Sequence, residues 1–199
     1  MPASKTLAPL ILAAGFSRRF NGNKLAHPLN LNGIHQPLLL HTLTNWLAVF
    51  ETVYLMLPVQ DVVLNSLLKE LPKEQQAKIQ LVFVDKPEHG MSESIKAGVK
   101  ASQDASGWLI GLADMPWVTA SVLSALEGAM QDGADIAAPF FNDQRGHPVA
   151  FNAKYREALL ALEGDRGAKT LLQTNKAKIH PVLSSDDGVL RDIDTQADI

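Results

Sequence analysis

Apolar positions along the chain fall into two alternating kinds of segment. Short apolar runs bounded by polar or turn residues recur at Leu10 to Ala14, Thr52 to Leu57, Ile79 to Val84, Trp108 to Ala113 and Asp135 to Pro139. Each is of strand length. Between them, apolar residues three or four apart mark one face of a helix. These are Leu39, Leu43, Trp46, Leu47 and Phe50 behind Pro37; Val63, Leu64, Leu67, Leu68 and Leu71; and Leu123, Leu126 and Met130 behind Ser121. Pro37 and Pro116 suit the start of a helix, where a missing N–H costs little. Beyond Pro139 the rhythm loosens. "RGHPVAFN" reads as the start of a strand, "AKYREALLAL" as a helix, "GDRGAKTLLQ" as a second helix capped by Asp165, and "GVLRDID" as a short final strand.

Strands apolar on both faces and alternating with helices predict an α/β protein: a Rossmann-like, three-layer α/β/α arrangement around a mostly parallel sheet. Ligands in such sheets collect beyond the carboxyl ends of the strands. No internal repeat, low-complexity tract or linker divides the sequence, so residues 1–199 are expected to form one domain. The 199 residues, 46% hydrophobic, supply one well-buried core and are too few for two large ones.

Composition then narrows the chemistry. A net charge of −3 offers no broad basic surface for nucleic acid or membrane, so the cations at Arg18, Arg19 and Lys24 are a local feature expected to meet something small and anionic. The absence of cysteine removes disulfides, thiolate metal sites and cysteine nucleophiles, and fits a cytoplasmic setting. The N-terminal apolar run leads into arginines rather than a cleavage site and reads as a strand, and no apolar stretch reaches the roughly 20 residues that span a bilayer.

The stretch "LILAAGFSRRFNGNKLAHPL" from Leu10 to Leu29 joins a strand to a glycine turn and a cationic loop. It is not a P-loop, because Gly15 and Gly22 are too far apart and Leu25 follows Lys24; nor does it hold the dinucleotide pattern or a nucleophile elbow. What remains is a small-residue turn at Ala13, Ala14 and Gly15, where backbone amides can approach a ligand while Arg18 and Lys24 reach its phosphates. A solvated basic surface loop is the plainer alternative.

Five segments in order resemble one family. "LAAGFSRRFNGNK" is similar to the L-A-[AG]-G-x-S-x-R-[MF]-G-x-x-K motif of the MobA-like nucleotidyltransferases, which include the molybdenum cofactor cytidylyltransferases and guanylyltransferases. "GMSESIKAGV" at Gly90, "LADMP" at Leu112, "RGHPVAF" at Arg145 with "GDRGAKTLL" at Gly164, and "DIDTQADI" at Asp192 follow. The resemblance covers nearly the whole chain and implies the nucleotidyltransferase (GT-A-like) form of the fold. It implies nucleotide binding by Leu12, Ala13, Ala14, Gly15, Lys24, Gly90, Met91, Ser92 and Asp114, with Lys24 and Arg18 catalytic. It places Arg145, Gly146 and His147 on the acceptor side. Asn21 beside Gly22 and Gln196 in place of proline depart from the family pattern.

Physical reasons stand beside several of these positions. Asp114 follows an apolar run directly, which puts its carboxylate at the mouth of the sheet. Two carboxylates from distant segments, without His or Cys, suit a hard oxygen-seeking ion such as Mg²⁺. In the family the "ADMP" aspartate holds the metal, which implies Asp114 with Asp192 as its partner; Asp194 is the other candidate. Asp114 can instead be a turn or helix cap, Ser92 and Ser94 can be ordinary caps, and Thr195 to Asp198 reads as a capping box. His27, His35, His41, His89 and His180 carry no partner pattern.

The family's cytidylyltransferases favour L-A-A-G, so Ala14 implies CTP as donor and a molybdopterin-type acceptor, with a molybdoenzyme or its chaperone as a downstream partner. A methyl in the base pocket is worth only about 1 to 3 kcal/mol in discrimination. GTP or another nucleotide, a sugar- or polyol-phosphate acceptor, and a non-catalytic molybdopterin carrier are the alternatives. A glycosyltransferase would want an Asp-x-Asp motif in mid-chain, and only Asp192 to Asp194 fits, near the C-terminus.

Overall fold

A computed structural model describes residues 6–15, 20, 22–59 and 61–198. At its centre runs strand β1 (Leu7–Leu12), followed by a hairpin of β2 (Pro28–Leu31) and β3 (Ile34–Pro37) and by helix α1 (Leu38–Leu47). Then come β4 (Val53–Pro58), α2 (Val62–Leu68), α3 (Lys73–Ala77), β5 (Ile79–Val84), α4 (Met91–Ala101), β6 (Gly107–Leu112) and α5 (Ala120–Gln131). The second half adds β7 (Ile136–Phe141), β8 (Gln144–Arg145), β9 (Val149–Asn152), α6 (Arg156–Leu160), α7 (Lys169–Thr174) and β10 (Ile179–Leu183).

The main sheet has the order β10-β7-β9-β6-β1-β4-β5, with β8 paired to β7. Strands β5, β4, β1 and β6 are parallel; β9 runs antiparallel between β6 and β7, and β10 is parallel to β7. Alternate residues of each strand feed two separate cores, as the two-residue period of a strand requires. Ile11, Leu55, Leu57 and Leu109 face α1 and α5, whereas Leu10, Met56, Trp108 and Ile110 face α4, α6 and α7. The expected three-layer arrangement is therefore present. Among the described residues no helix is long and apolar enough to cross a membrane.

Several elements differ from the sequence reading. β1 spans Leu7–Leu12 and so begins three residues before the apolar run read as a strand, while Ala13 and Ala14 follow it as the expected turn. α5 is capped by Thr119, whose side chain accepts from the Val122 amide, so Pro116 lies in the preceding turn and does not start the helix. Asp165 does not cap α7, which begins at Lys169 after Ala168. "GVLRDID" is not a strand: it forms a 3-10 turn at Asp187–Leu190 and then an extended strap outside the sheet. The hairpin β2–β3 and strand β10 were not foreseen. Asn32 and Gly33 turn the hairpin with φ of 53° and 82°, the conformation that an Asn-Gly pair favours. Pro181 argues against a strand in "KIHPVL", but β10 lies at the sheet's edge, where a missing donor is tolerated.

Candidate active site

The carboxyl ends of β1 and β6 lie side by side, and hydrogen bonds fix the turn that leaves β6. The Ala113 amide donates to Leu12 O at 3.1 Å, Thr42 Oγ1 from α1 donates to Ala113 O at 2.8 Å, and Asn45 Nδ2 donates to Val118 O at 2.9 Å. The Ile193 amide, on the C-terminal strap, donates to Asp114 O at 3.1 Å. Ile193 is wholly buried, so the strap presents Asp192 and Asp194 on either side of an apolar anchor. Asp114 is thus held by elements far apart in sequence, which leaves its carboxylate little freedom.

Lys24 enters from a 3-10 turn, Lys24–Ala26, capped by Asn23. Only 8% exposed, its ammonium lies 2.6 Å from Asp114 Oδ2 and 3.5 Å from Asp194 Oδ1. Asp114, Asp192 and Asp194 each offer a carboxylate oxygen within 4.8 Å of the others. Asp114 Oδ1 is buried with no hydrogen-bond partner among the described residues. Burial pushes the Asp114 carboxyl above its ordinary value; the Lys24 ammonium opposes this, and Asp192 adds to it. One ammonium therefore faces three carboxylates, one of which has an unmet acceptor. This all-oxygen set fits a hard divalent cation and does not resemble a closed structural ion pair.

The carboxylates open into a cleft of about 450 Å³ whose walls include Leu12, Ala14, Gly15, Gly90, Met91 and Leu112. Ala13 lines a smaller adjoining recess of about 180 Å³. Of the expected residues, the cleft also gathers Lys24, Asp114 and Asp192. Arg18 lies outside the described residues. Among the described residues Gly15 has no neighbour within 4 Å of where a Cβ would stand, which leaves room for a ligand to approach its backbone closely. Gly90 has φ of 104°, and a Cβ there would stand 2.5 Å from Asp165 Oδ1. Met91 and Ser92 lie in the first turn of α4. Ser92 is wholly buried outside the cleft and its amide donates to Gly164 O, while Ser94 lines the cleft; neither caps the helix. Glu88 and Asp165 line the cleft without having been singled out as ligands. The Gly-Asp-Arg-Gly run signals a loop at Asp165 more than a cap.

Arg145 and His147 stand at a second cavity of about 290 Å³ that shares Leu12, Met91 and Leu112 with the cleft. Burial, with the Arg145 charge beside it, lowers the His147 pKa from 6.5 to about 4, so the ring is neutral at pH 7. Gly146 instead packs under the strap: a Cβ there would stand 2.2 Å from Val189 O, and the His147 amide donates to that same oxygen at 2.9 Å. His41 is structural, its Nε2 hydrogen bonding with Leu29 O at 2.8 Å. Asp198 Oδ2 accepts from the Thr195 amide at 2.7 Å and closes the expected turn at the C-terminus.

Comparison with known proteins agrees with this architecture. The profile of the MobA-like NTP transferase domain matches residues 9–181. The purine catabolism protein PucB of Bacillus subtilis (strain 168) is 29% identical over 199 residues, covering 96% of this chain and 93% of that one. A solved homologue of Mycobacterium tuberculosis Rv0371c, from Mycobacterium sp. strain JC1, superposes with a TM-score of 0.79 at 26% identity, covering 96% of this chain and 92% of its own. A nucleotidyl transferase from Methanothermobacter thermautotroptrophicus shares the fold with a TM-score of 0.76 at 19% identity, with 97% and 94% covered.

Proposed function

The chain belongs to the MobA-like NTP transferases, nucleotidyltransferases that act on nucleoside triphosphates, and from that premise we propose that it transfers CMP from CTP to molybdopterin with release of pyrophosphate. The observation that carries this reading is the convergence of Lys24 with Asp114, Asp192 and Asp194 at one end of the cleft.

In this reading a terminal phosphate of the acceptor attacks the α-phosphorus of CTP in line, and the bond to the departing pyrophosphate breaks without a covalent enzyme intermediate. Catalysis is then positioning plus electrostatics. Lys24 exchanges its carboxylate partner for phosphate oxygens and stabilises the charge that grows on them; Arg18 is proposed to assist. Asp114 and Asp192 are the proposed ligands of Mg²⁺, with Asp194 beside them, and the unpartnered Asp114 Oδ1 supports that assignment. When bound there, Mg²⁺ would supply positive charge that offsets the charge of the triphosphate. Leu12, Ala13, Ala14 and Gly15 would line the base and ribose side, with Gly90 and Met91 opposite. The choice of CTP rests on Ala14 of the L-A-A-G resemblance: two residues past the end of β1, it borders the cleft while its side chain, 1% exposed, packs into the core.

Pyrophosphate release measured with CTP, GTP and ATP in the presence of molybdopterin and Mg²⁺ tests this directly. Turnover is expected with CTP above the others. A clear GTP preference overturns the nucleotide assignment, and molybdopterin binding without turnover on any nucleotide makes the protein a carrier.

A further inference from the structure

We propose that the cavity beside the cleft is a second anion subsite, in which Arg166 and Lys169 join Arg145 to hold a negative group of the acceptor remote from its reacting phosphate. It rests on the nucleotidyl-transfer reading of the cleft only in calling that ligand the acceptor.

The two adjoining spaces have opposite electrostatic character. The cleft is lined by the carboxylates of Glu88, Asp114, Asp165, Asp192 and Asp194 against one described cation, Lys24. The neighbouring cavity has no acidic residue in its lining and carries Arg145, Arg166 and Lys169. None of these three forms a salt bridge with a carboxylate among the described residues. The rest of its lining is largely apolar, with Ile95, Ile110, Val149 and Phe151, and cations beside apolar surface favour a flat or apolar body that carries an anion.

The loop that carries the new cations is pinned rather than free. Gly164 O accepts from the Ser92 amide at 3.2 Å, and Arg166 O accepts from the Lys169 amide at 3.1 Å. Gly167, with φ of 51°, lies so close to Met91 that a Cβ would stand 2.8 Å from its sulfur. Consecutive residues thus serve the two spaces: Asp165 lines the cleft and Arg166 the cavity. Leu12, Met91 and Leu112 form the shared wall, so one molecule can present a phosphate to the cleft while its far end lies among the cations.

Pterin-6-carboxylate, a planar fluorescent anion, is a suitable probe, with neutral 6-methylpterin as the control. Wild-type protein should bind the carboxylate at least tenfold more tightly. Because hydrogen bonds to charged groups are strong, Arg166→Ala and Lys169→Ala should each weaken binding by about 10- to 100-fold. Arg166→Lys should recover part of the loss. Both side chains are exposed, so the fold should survive, and Mg·CTP affinity should stay unchanged. Absent or equal binding of the two pterins, unaltered affinity in both alanine variants, or parallel loss of Mg·CTP affinity overturns the proposal. Charge-dependent pterin binding without pyrophosphate release from any nucleotide would sink the transferase reading and leave the subsite standing.

Discussion

Lys24 is a buried ammonium whose described partners are both carboxylates of the candidate metal site, so its removal acts on charge and hardly on packing volume elsewhere. By analogy with deletion of one preorganised donor, Lys24→Ala should lower kcat about 10²- to 10³-fold. Steady-state pyrophosphate release decides this, and a wild-type rate would remove Lys24 from the catalytic role. His147 supports a prediction of another kind. Its folded-state pKa, about 4, lies below the ordinary 6.5, so the unfolded chain takes up a proton that the folded one refuses. Its contribution is fully present above pH 6.5 and is lost as pH falls toward 4, on the order of 3 kcal/mol in all, less where cavity water screens the ring. Urea titrations of His147→Gln across that range should show a flatter acid limb than the wild type. The meeting of Lys24 and Asp114, 90 positions apart, was legible because Asp114 directly follows one apolar run and Lys24 belongs to the cationic segment that follows another. Arg166 and Lys169 were not, since their segment reads as a helix and helical spacing says nothing about which side chains border a cavity.

The regular elements were legible where strands alternate with helices, because continuous apolar runs and three-to-four spacing survive in any parallel sheet. The C-terminal strap was misread for a physical reason: "GVLRDID" has strand-like composition, but no neighbouring strand offers it a ladder, and single bonds to Asp114 O and from the His147 amide hold it instead. Its seat depends on Gly146. A methyl at that position would stand 2.2 Å from Val189 O, and backbone cannot yield as a flexible side-chain end can. Gly146→Ala should therefore destabilise the protein by about 1 to 3 kcal/mol, the usual range for overpacking. The same change should raise the Mg²⁺ concentration needed for half-maximal activity, because Asp192 and Asp194 ride on the displaced strap. Gly128→Ala is the matched control: it lies inside α5 with no atom of another described element within 4 Å of a new Cβ. That change should stabilise by about 0.5 to 1 kcal/mol through helix propensity alone. If thermal unfolding ranks the two variants the other way, the strap is not seated as described.

Across the whole molecule the sheet separates two cores, and strand β1 delivers Ala13 to Gly15 to the one edge where α1, β6 and the strap also meet. The described part of the cleft is acidic, with five carboxylates to one lysine, on a chain already carrying a net charge of −3. A bare triphosphate entering such a field is repelled unless a divalent cation comes with it. Stability should therefore respond to the metal and the nucleotide jointly. At about a hundredfold excess over its dissociation constant, a ligand of the folded state adds roughly 2.7 kcal/mol. For a chain of this size that raises the melting temperature by about 5 to 10 °C. Differential scanning fluorimetry should show this rise for CTP with Mg²⁺, and only a small part of it for CTP with EDTA or for Mg²⁺ alone. An equal rise with CTP in EDTA would mean that cations alone hold the triphosphate, and would transfer the role proposed for the three aspartates to the basic loop around Arg18.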